Sequence, residues 1–343
     1  MSAPADDPGS GRSAERGAAA PARYHVVGIG NALVDVIAHH DDEFIDRHTL
    51  VKGSMTLIEA ERALTLHAAM VAPIEMSGGS AANTMCGVAS FGGTAAYIGK
   101  VAPDGLGQAF RHDLHAEGVA FPNAPSRAEV PTGRCLIVVT PDAQRTMNTF
   151  LGVSSLLGPE DVSTEVAAAG QVVYMEGYLY DRPEAKLAYR KAAEVAHRAG
   201  RKVSLTLSDS FCVDRHRVDF LALVRDEVDL LFSNDDEVLA LYEVDDLDEA
   251  VRRVRRDCEL TVVTVGAEGS LVVTAEDVIA VKAEPVARVV DTTGAGDLYA
   301  AGFLFGYTNG ADLAECGRLG SVAAAEVISH VGARPSVPLH RLV

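Results

Sequence analysis

The chain has 343 residues, 48% of them hydrophobic, which is enough for one large folded unit or one unit with a small appendage. Lys and Arg number 30 against 48 Asp and Glu, and the resulting formal charge of −18 disfavours nucleic acid and anionic membranes as partners. Cys86, Cys135, Cys212, Cys258 and Cys316 stand far apart with no CxxC pair, as expected in a reducing compartment such as the cytoplasm and without structural zinc.

Residues 1–22 are rich in Ala, Pro, Gly, Ser and Asp, lack the apolar stretch of a signal peptide, and read as a disordered tail ahead of a folded unit over 23–343. No apolar run approaches the ~18 residues that cross a membrane. A first strand runs from about Tyr24 to Ile29 and leads into Gly30-Asn31 and then Asp35. A dinucleotide fingerprint would need glycine at 33, where Leu33 stands. Residues 39–61 are polar, then mixed, and do not read as a long helix. Ser77-Gly78-Gly79-Ser80-Ala81-Ala82-Asn83 opens a helix over about 80–91. Its glycines let a backbone approach a ligand closely, and Asn83 lies one turn past Gly79, on the side of the exposed amides. An N-cap at Ser80 explains the string almost as well. A short strand over 95–99 and an amphipathic helix from Leu106 to Glu117, closed by Gly118, come next. Cys135–Thr140 and Arg145–Phe150, joined by a Pro141-Asp142 turn, read as a hairpin; Phe150 is a candidate aromatic wall, or plain packing.

After about residue 171 strands and helices alternate. Strands at 172–175, 203–207, 229–232 and 261–265 are separated by helices at 184–199, through 220, and over 235–257. Strands near 271–274 and 278–281 and helices at 295–308 and 312–329 complete the pattern. Such alternation predicts a mostly parallel sheet covered on both faces, with ligands beyond the C-terminal strand ends. Arg252, Arg253, Arg255 and Arg256 read as the wet face of a helix whose buried side is Val251 and Val254. Glu176, at a strand end, either meets a ligand hydroxyl or faces solvent. Asn234-Asp235-Asp236-Glu237 offers an amide and a carboxylate three apart, suited to a hydrated hard cation and equally to a capping box. Thr264-Val265-Gly266-Ala267-Glu268-Gly269 is either a nucleotide loop or a hairpin turn.

The most specific string is Asp291-Thr292-Thr293-Gly294-Ala295-Gly296-Asp297, after a strand-like run over 286–290. A glycine turn at a helix start presents free amides and the positive end of the helix dipole to an anion. Asp297 in the first turn would repel phosphate, so its place suits proton abstraction from an alcohol beside a phosphoryl group. The plainer alternative is a carboxylate that merely complements the dipole. No P-loop pattern and no G-x-S-x-G occurs, and the histidines are scattered without H-E-x-x-H.

The 291–297 string closely resembles the second signature of the ribokinase-like, or PfkB, sugar and nucleoside kinases. Gly30-Asn31, Asp35 and the 77–83 string resemble its first signature, Asn234–Glu237 its Asn-x-x-Glu motif, and 264–269 its nucleotide loop. Gly332-Ala333-Arg334-Pro335-Ser336 resembles its monovalent-cation segment. The resemblance implies a three-layer α/β/α domain with a mostly parallel central sheet and a small β lid from about 39–61 and 119–151. It implies Asp297 as general base and Gly294, Ala295 and Gly296 as anion hole. Sugar contacts fall at Asn31, Asp35, Gly78, Gly79 and Asn83, with Glu176 as a further candidate, and ATP contacts at Asn234, Thr264, Gly266 and Gly269. Mg²⁺ is expected near Glu237 through water, and K⁺ at Asp291, Thr293, Gly332 and Ser336. Segments 51–55, 131–135 and 144–150 resemble bacterial adenosine-kinase-like members. The implied reaction is phosphorylation of a nucleoside 5′-hydroxyl, adenosine first, by a cytoplasmic monomer or homodimer. A kinase of a free sugar such as ribose or fructose is the alternative; a silent sugar-binding protein is disfavoured by the intact Asp297.

Overall fold

The structure is a computed structural model that describes residues 21–142 and 144–343, so nearly all of the expected tail over 1–22 lies outside the described residues. In chain order the strands are β1 (Tyr24–Ile29), β2 (Leu33–His39), β3 (Met55–Leu57), β4 (Ile74–Ser77), β5 (Ala95–Ile98), β6 (Val119–Ala120), β7 (Thr132–Val139), β8 (Arg145–Gly152), β9 (Gly170–Glu176), β10 (Lys202–Thr206), β11 (Leu230–Asn234), β12 (Leu260–Thr264), β13 (Ser270–Thr274) and β14 (Val278–Val281). The helices are α1 (Asp42–Arg47), α2 (Ala60–Ala69), α3 (Ser80–Ser90), α4 (Gly105–Ala116), α5 (Thr164–Ala168), α6 (Pro183–Arg198), α7 (Ser210–Asp226), α8 (Asp235–Tyr242), α9 (Leu247–Asp257), α10 (Ala295–Thr308) and α11 (Leu313–Val327).

Successive side chains of a strand point to opposite faces, and both faces of the large sheet are apolar here. Val27, Ile29, Val173, Met175 and Leu231 join one core, covered by α6, α7, α8 and α9. Val26, Val172, Tyr174, Leu230 and Phe232 join the other, under α3, α4, α10 and α11. The result is three layers around nine strands in the order β14-β13-β12-β11-β10-β9-β1-β5-β6. The sheet is parallel from β6 to β12 and ends in an antiparallel hairpin of β13 and β14. β1 lies between β5 and β9, so the winding reverses there and opens a crevice beyond the strand ends, where parallel sheets place ligands.

A second sheet, β3-β8-β7-β2-β4, stands over that crevice. The hairpin expected at 130–151 is its centre, β7 against β8. Its outer face buries Val36, Ala38, Leu136 and Val138 against Phe44 and Ile45 of α1 and Leu66 of α2. Its strands come from 33–77 and 132–152, wider than 39–61 at both ends and starting later than 119. β2 and β4 went unread because neither shows clean alternation: Asp35 interrupts the apolar run of β2, and β4 has only four residues, two of them polar. The run over 286–290, which reads as strand-like, is not a strand. Val289 and Val290 are exposed, and Val290 N–H donates to the Ile328 carbonyl after α11. The run instead docks on the end of α11 and adds no strand beyond β14, the edge of the sheet. α9 has the expected wet face: Arg252 and Arg253 pair with Glu249, while Ala250, Val251 and Val254 are buried.

α10 and α11 cross through glycine. A Cβ on Gly302 would lie 2.3 Å from the Leu319 carbonyl oxygen, and one on Gly320 would lie 2.8 Å from that of Tyr299. Backbone cannot retreat as a flexible side chain can. Gly302→Ala is therefore expected to cost about 1–3 kcal/mol through overpacking, read as a lowered thermal midpoint; an unchanged midpoint would show that the crossing is not tight.

Candidate active site

Between the C-terminal end of the large sheet and the inner face of the second lies a cavity of about 650 Å³. Two helices begin at its floor. α3 has Gly79 at its N-cap, with φ +92° and no side-chain cap, so Ser80 is not the cap. The Ser80 hydroxyl instead donates to Asp297 Oδ1 at 2.6 Å, and Asn83 Nδ2 donates to Asp297 Oδ2 at 3.1 Å. α10 has Gly294 at its N-cap, with φ +79°. Asp297 thus spends its carboxylate on the neighbouring helix start rather than on its own dipole. Arg334 Nε donates to Asn83 Oδ1 at 3.3 Å, which fixes the amide with its NH₂ toward Asp297. Burial pushes the Asp297 pKa up, and the Ser80 and Asn83 hydrogen bonds pull against it.

Three glycines have three different reasons. At Gly79 a Cβ would lie 2.3 Å from the Asn31 carbonyl oxygen, and at Gly294 it would lie 2.8 Å from Ala333 Cα. At Gly296 it would meet nothing within 4 Å. The chain's own packing leaves that position open toward the cavity, which Gly294, Ala295, Gly296 and Asp297 all line.

Asp35 lies on β2 beside Cys135 of β7, half-buried, and also lines the cavity. Its carboxylate makes no hydrogen bond among the described residues. Burial pushes its pKa to about 6, with Arg145 and Arg334 opposing and Asp297 adding to the rise. Gly78 lets the turn pass: a Cβ there would lie 2.5 Å from Asp35 Oδ2. Arg145 Nε and Arg334 Nη2 are buried without protein partners. Asp35 thus brings an unpartnered acceptor to the cavity, and the positive charges of Arg145 and Arg334 lie close enough behind it to favour its ionised form.

Glu176 neither faces solvent nor lines the cavity. It is 1% exposed. Its Oε1 accepts from the Asn31 N–H at 2.7 Å and from Asn31 Nδ2 at 2.8 Å, and its Oε2 accepts from the Ala81 N–H at 2.9 Å. It pins the turn after β1 to the first turn of α3. Burial still pushes its pKa to about 7. Asn31 lines the cavity, but its Oδ1 already accepts from the Ser154 hydroxyl at 2.9 Å.

Asn234 and Glu237 form a reciprocal capping box at the start of α8: Asn234 Oδ1 accepts from the Glu237 N–H at 2.7 Å, and Glu237 Oε2 accepts from the Asn234 N–H at 3.0 Å. Both also line the cavity, so the two readings of this motif coexist. Burial pushes the Glu237 pKa to about 7. Thr264 and Gly266 line the cavity as well. Gly269 does not; its φ of +107° and a Cβ position 2.0 Å from the Val281 carbonyl oxygen show that the hairpin demands this glycine.

Asp291, Thr293 and Gly332 come together. Asp291 Oδ1 accepts from the Thr293 N–H at 3.0 Å and its hydroxyl at 2.7 Å, and Oδ2 accepts from the Gly332 N–H at 3.1 Å and from Arg145. Burial raises the Asp291 pKa, but the Gly332, Thr293 and Arg145 interactions outweigh it and hold the carboxyl below its usual value. Ser336 lies apart, its N–H and hydroxyl both on Glu326 Oε1 at 2.9 and 2.7 Å.

Sequence reasoning missed the apolar wall. Met55 of β3, Cys135 and Ile137 of β7, and Met147, Thr149 and Leu151 of β8 line the roof of the cavity. The signal was present as alternation in β8: Met147, Thr149 and Leu151 share one face, which sends Phe150 to the other. Phe150 packs with the core under α1 and α2 and is no wall of the cavity.

The pattern of the pfkB family carbohydrate kinases matches residues 56–339. The chain belongs to that family. Membership implies ATP as phosphoryl donor, typically with Mg²⁺. An "Uncharacterized sugar kinase" of Archaeoglobus fulgidus is 31% identical over 259 residues, covering 74% of this chain and 98% of the relative. Adenosine kinase of Saccharomyces cerevisiae is 27% identical over 340 residues, covering 92% and 98%. Among solved structures, adenosine kinase from Sinorhizobium meliloti superposes with a TM-score of 0.88 at 53% identity, covering 94% of this chain and 98% of that one. A probable sugar kinase from Rhizobium etli gives the same TM-score at 47% identity, with the same coverage. The three-layer fold with a mostly parallel sheet is that of the family.

With Asp297 as the expected general base, the kinase's pH profile would report the clasp on it. A general base works deprotonated, so activity falls as pH drops through its pKa. Asn83→Ala removes a donor that favours the charged form, so the acid limb of the kcat/KM profile is expected to move to higher pH. A limb that stays in place would detach Asn83 from the base.

Proposed function

We propose that the protein is an adenosine kinase that transfers the γ-phosphoryl group of ATP to a nucleoside 5′-hydroxyl. The observation that carries this reading is Asp297 in the first turn of α10, held by α3, with the Gly294–Gly296 turn and the unpartnered Asp35 lining the same cavity. Asp35 accepts hydrogen bonds from the ribose diol, which places the 5′-hydroxyl toward Asp297. Asp297 takes the hydroxyl proton as that oxygen attacks the γ-phosphorus and ADP leaves. The Gly294, Ala295 and Gly296 amides stabilise the equatorial oxygens of the moving group. Open space at Gly296 suits a phosphoryl group at that backbone, because a side chain there would compete with it.

Thr264 and Gly266 border the nucleotide. The Asn234–Glu237 box fits a hydrated Mg²⁺, since each Glu237 oxygen accepts one bond from Asn234 and keeps a lone pair for a metal-bound water. Mg²⁺ would neutralise nucleotide phosphate charge there. Glu176 serves by holding Asn31 and Ala81 rather than by touching substrate. The donor set at Asp291, Thr293 and Ser336 does not fit K⁺, because Asp291 is already neutralised by Arg145 and Ser336 points to Glu326.

The apolar roof favours a nucleoside over a free sugar. Met55, Ile137, Met147 and Leu151 cover a nucleobase, whereas a bare sugar would leave them facing hydroxyls. The second sheet acts as a lid that excludes water during transfer. We place the enzyme in the cytoplasm as a monomer or homodimer without nucleic-acid or membrane partners. Its cysteines are free and buried, and among the described residues no helix is long and apolar enough to cross a membrane.

ATP consumption should be compared with adenosine, inosine, cytidine, ribose and fructose as acceptors. Adenosine is expected to turn over fastest; turnover with free sugars alone would overturn the substrate assignment. Asp297→Asn is expected to lower kcat by about 10²–10⁴ while ATP binding persists. Near-normal turnover in that variant would remove Asp297 from the role of base.

A further inference from the structure

A carboxylate offers about four lone-pair sites. Asp291, at the head of the anion-hole turn, has four donors on them: the N–H and hydroxyl of Thr293, the Gly332 N–H, and Arg145. Three are neutral and local to the turn or to the segment after α11. The fourth is a permanent charge, because a guanidinium is not deprotonated in proteins. It also comes from a different sheet. Arg145 is the first residue of β8, opposite Val139 of β7, and reaches from the second sheet to the segment before α10. The two side chains are 14% and 6% exposed, so the pair is held largely away from water. Screening by salt is weak for such a pair. Glu326 meanwhile organises the end of the segment, taking the Ser336 N–H and hydroxyl and the Val337 N–H on one oxygen. The carboxylate of Asp291 is thus fully taken up by protein donors, one of them permanently charged.

We infer that Arg145 takes the place of a monovalent cation in this chain: its guanidinium neutralises Asp291 and sets the turn that carries Gly294, Ala295 and Gly296, so that K⁺ is not required. The inference rests on the kinase reading of that turn. Arg145 acts through Asp291 and is a positioning residue. Because it rides on the second sheet, the charge reaches Asp291 only when that sheet sits over the cavity. Closure and ordering of the anion hole are then one event, whereas a diffusible cation would leave them separate.

The test uses the full chain at constant ionic strength in potassium, sodium or choline chloride. It reads the thermal midpoint and the initial rate of ADP formation with adenosine. The wild type is expected to show the same midpoint and rate in all three salts. Arg145→Gln is expected to have a lower midpoint in choline that K⁺ raises, and K⁺ should restore part of its lost rate. Loss of a merely structural side chain would give no such cation-selective recovery. Wild-type activation by K⁺ of about tenfold, within the usual span of effector coupling, or a wild-type midpoint several degrees higher in K⁺ than in choline, would overturn the inference. So would a folded Arg145→Gln chain with an unchanged midpoint and no response to K⁺. If that variant is recovered unfolded, the wild-type comparison decides alone. Absence of adenosine turnover in every salt would count against the kinase reading, and the midpoints would still decide the role of Arg145.

Discussion

Gly87 of α3 faces α10 so closely that a Cβ in its place would lie 2.5 Å from Ala301 Cβ and 2.7 Å from Leu298 Cδ1. That approach is what the site depends on. Ser80 and Asn83 lie on the first turn of α3, and Asp297 on the first turn of α10; a side chain at 87 would press the helices apart and strain both hydrogen bonds to the carboxylate. Two helix starts, each bent out of the previous segment by a glycine at positive φ, then open onto one crevice. The crevice exists because the winding of the sheet reverses at β1. Glu176 ties the reversal to the helix by bonding Asn31 on one side and Ala81 on the other.

Electrostatics in the cavity run against the global charge. A chain of net charge −18 gathers Asp35, Glu237 and Asp297 around a place where phosphate has to bind. Burial raises the pKa of all three, which shows the cost of keeping them there. The compensation is local. Arg145 and Arg334 act on Asp35, the Ser80 hydroxyl and the Asn83 amide donate to Asp297, and Asn234 donates to Glu237. Arg145 also answers Asp291, so one side chain of the second sheet touches the charge balance of both Asp35 and the turn that leads into α10.

Much of this was legible in the order of residues. The 291–297 and 77–83 strings, the Asn234–Glu237 spacing and the alternation of strands with helices are local patterns, and local patterns carry backbone conformation: glycine where φ is positive, a carboxylate or amide where a helix begins. The Gly294–Asp297 turn, the capping box and the hairpin of β7 and β8 all sit where those patterns put them. The readings that failed depend on which face or which neighbour a residue meets. Phe150 turned away because β8 pairs with β7 in a register that gives Met147, Thr149 and Leu151 to the cavity. The run over 286–290 stayed outside the sheet because Val290 bonds to the Ile328 carbonyl after α11 rather than to β14.

The sequence by itself determined the layered α/β class, the helix starts and the set of polar groups available at them. Only tertiary structure decided their partners. Ser80 proved to be a donor to Asp297 and not a cap; Glu176 was spent on Asn31 and Ala81; Arg145 and Arg334, unremarkable in the string, closed over Asp291 and Asn83 from 146 and 251 residues away. The physical reason is range. Propensity and capping act within a turn or two along the chain, whereas the ownership of a buried carboxylate is settled by whichever donors packing brings within hydrogen-bond distance.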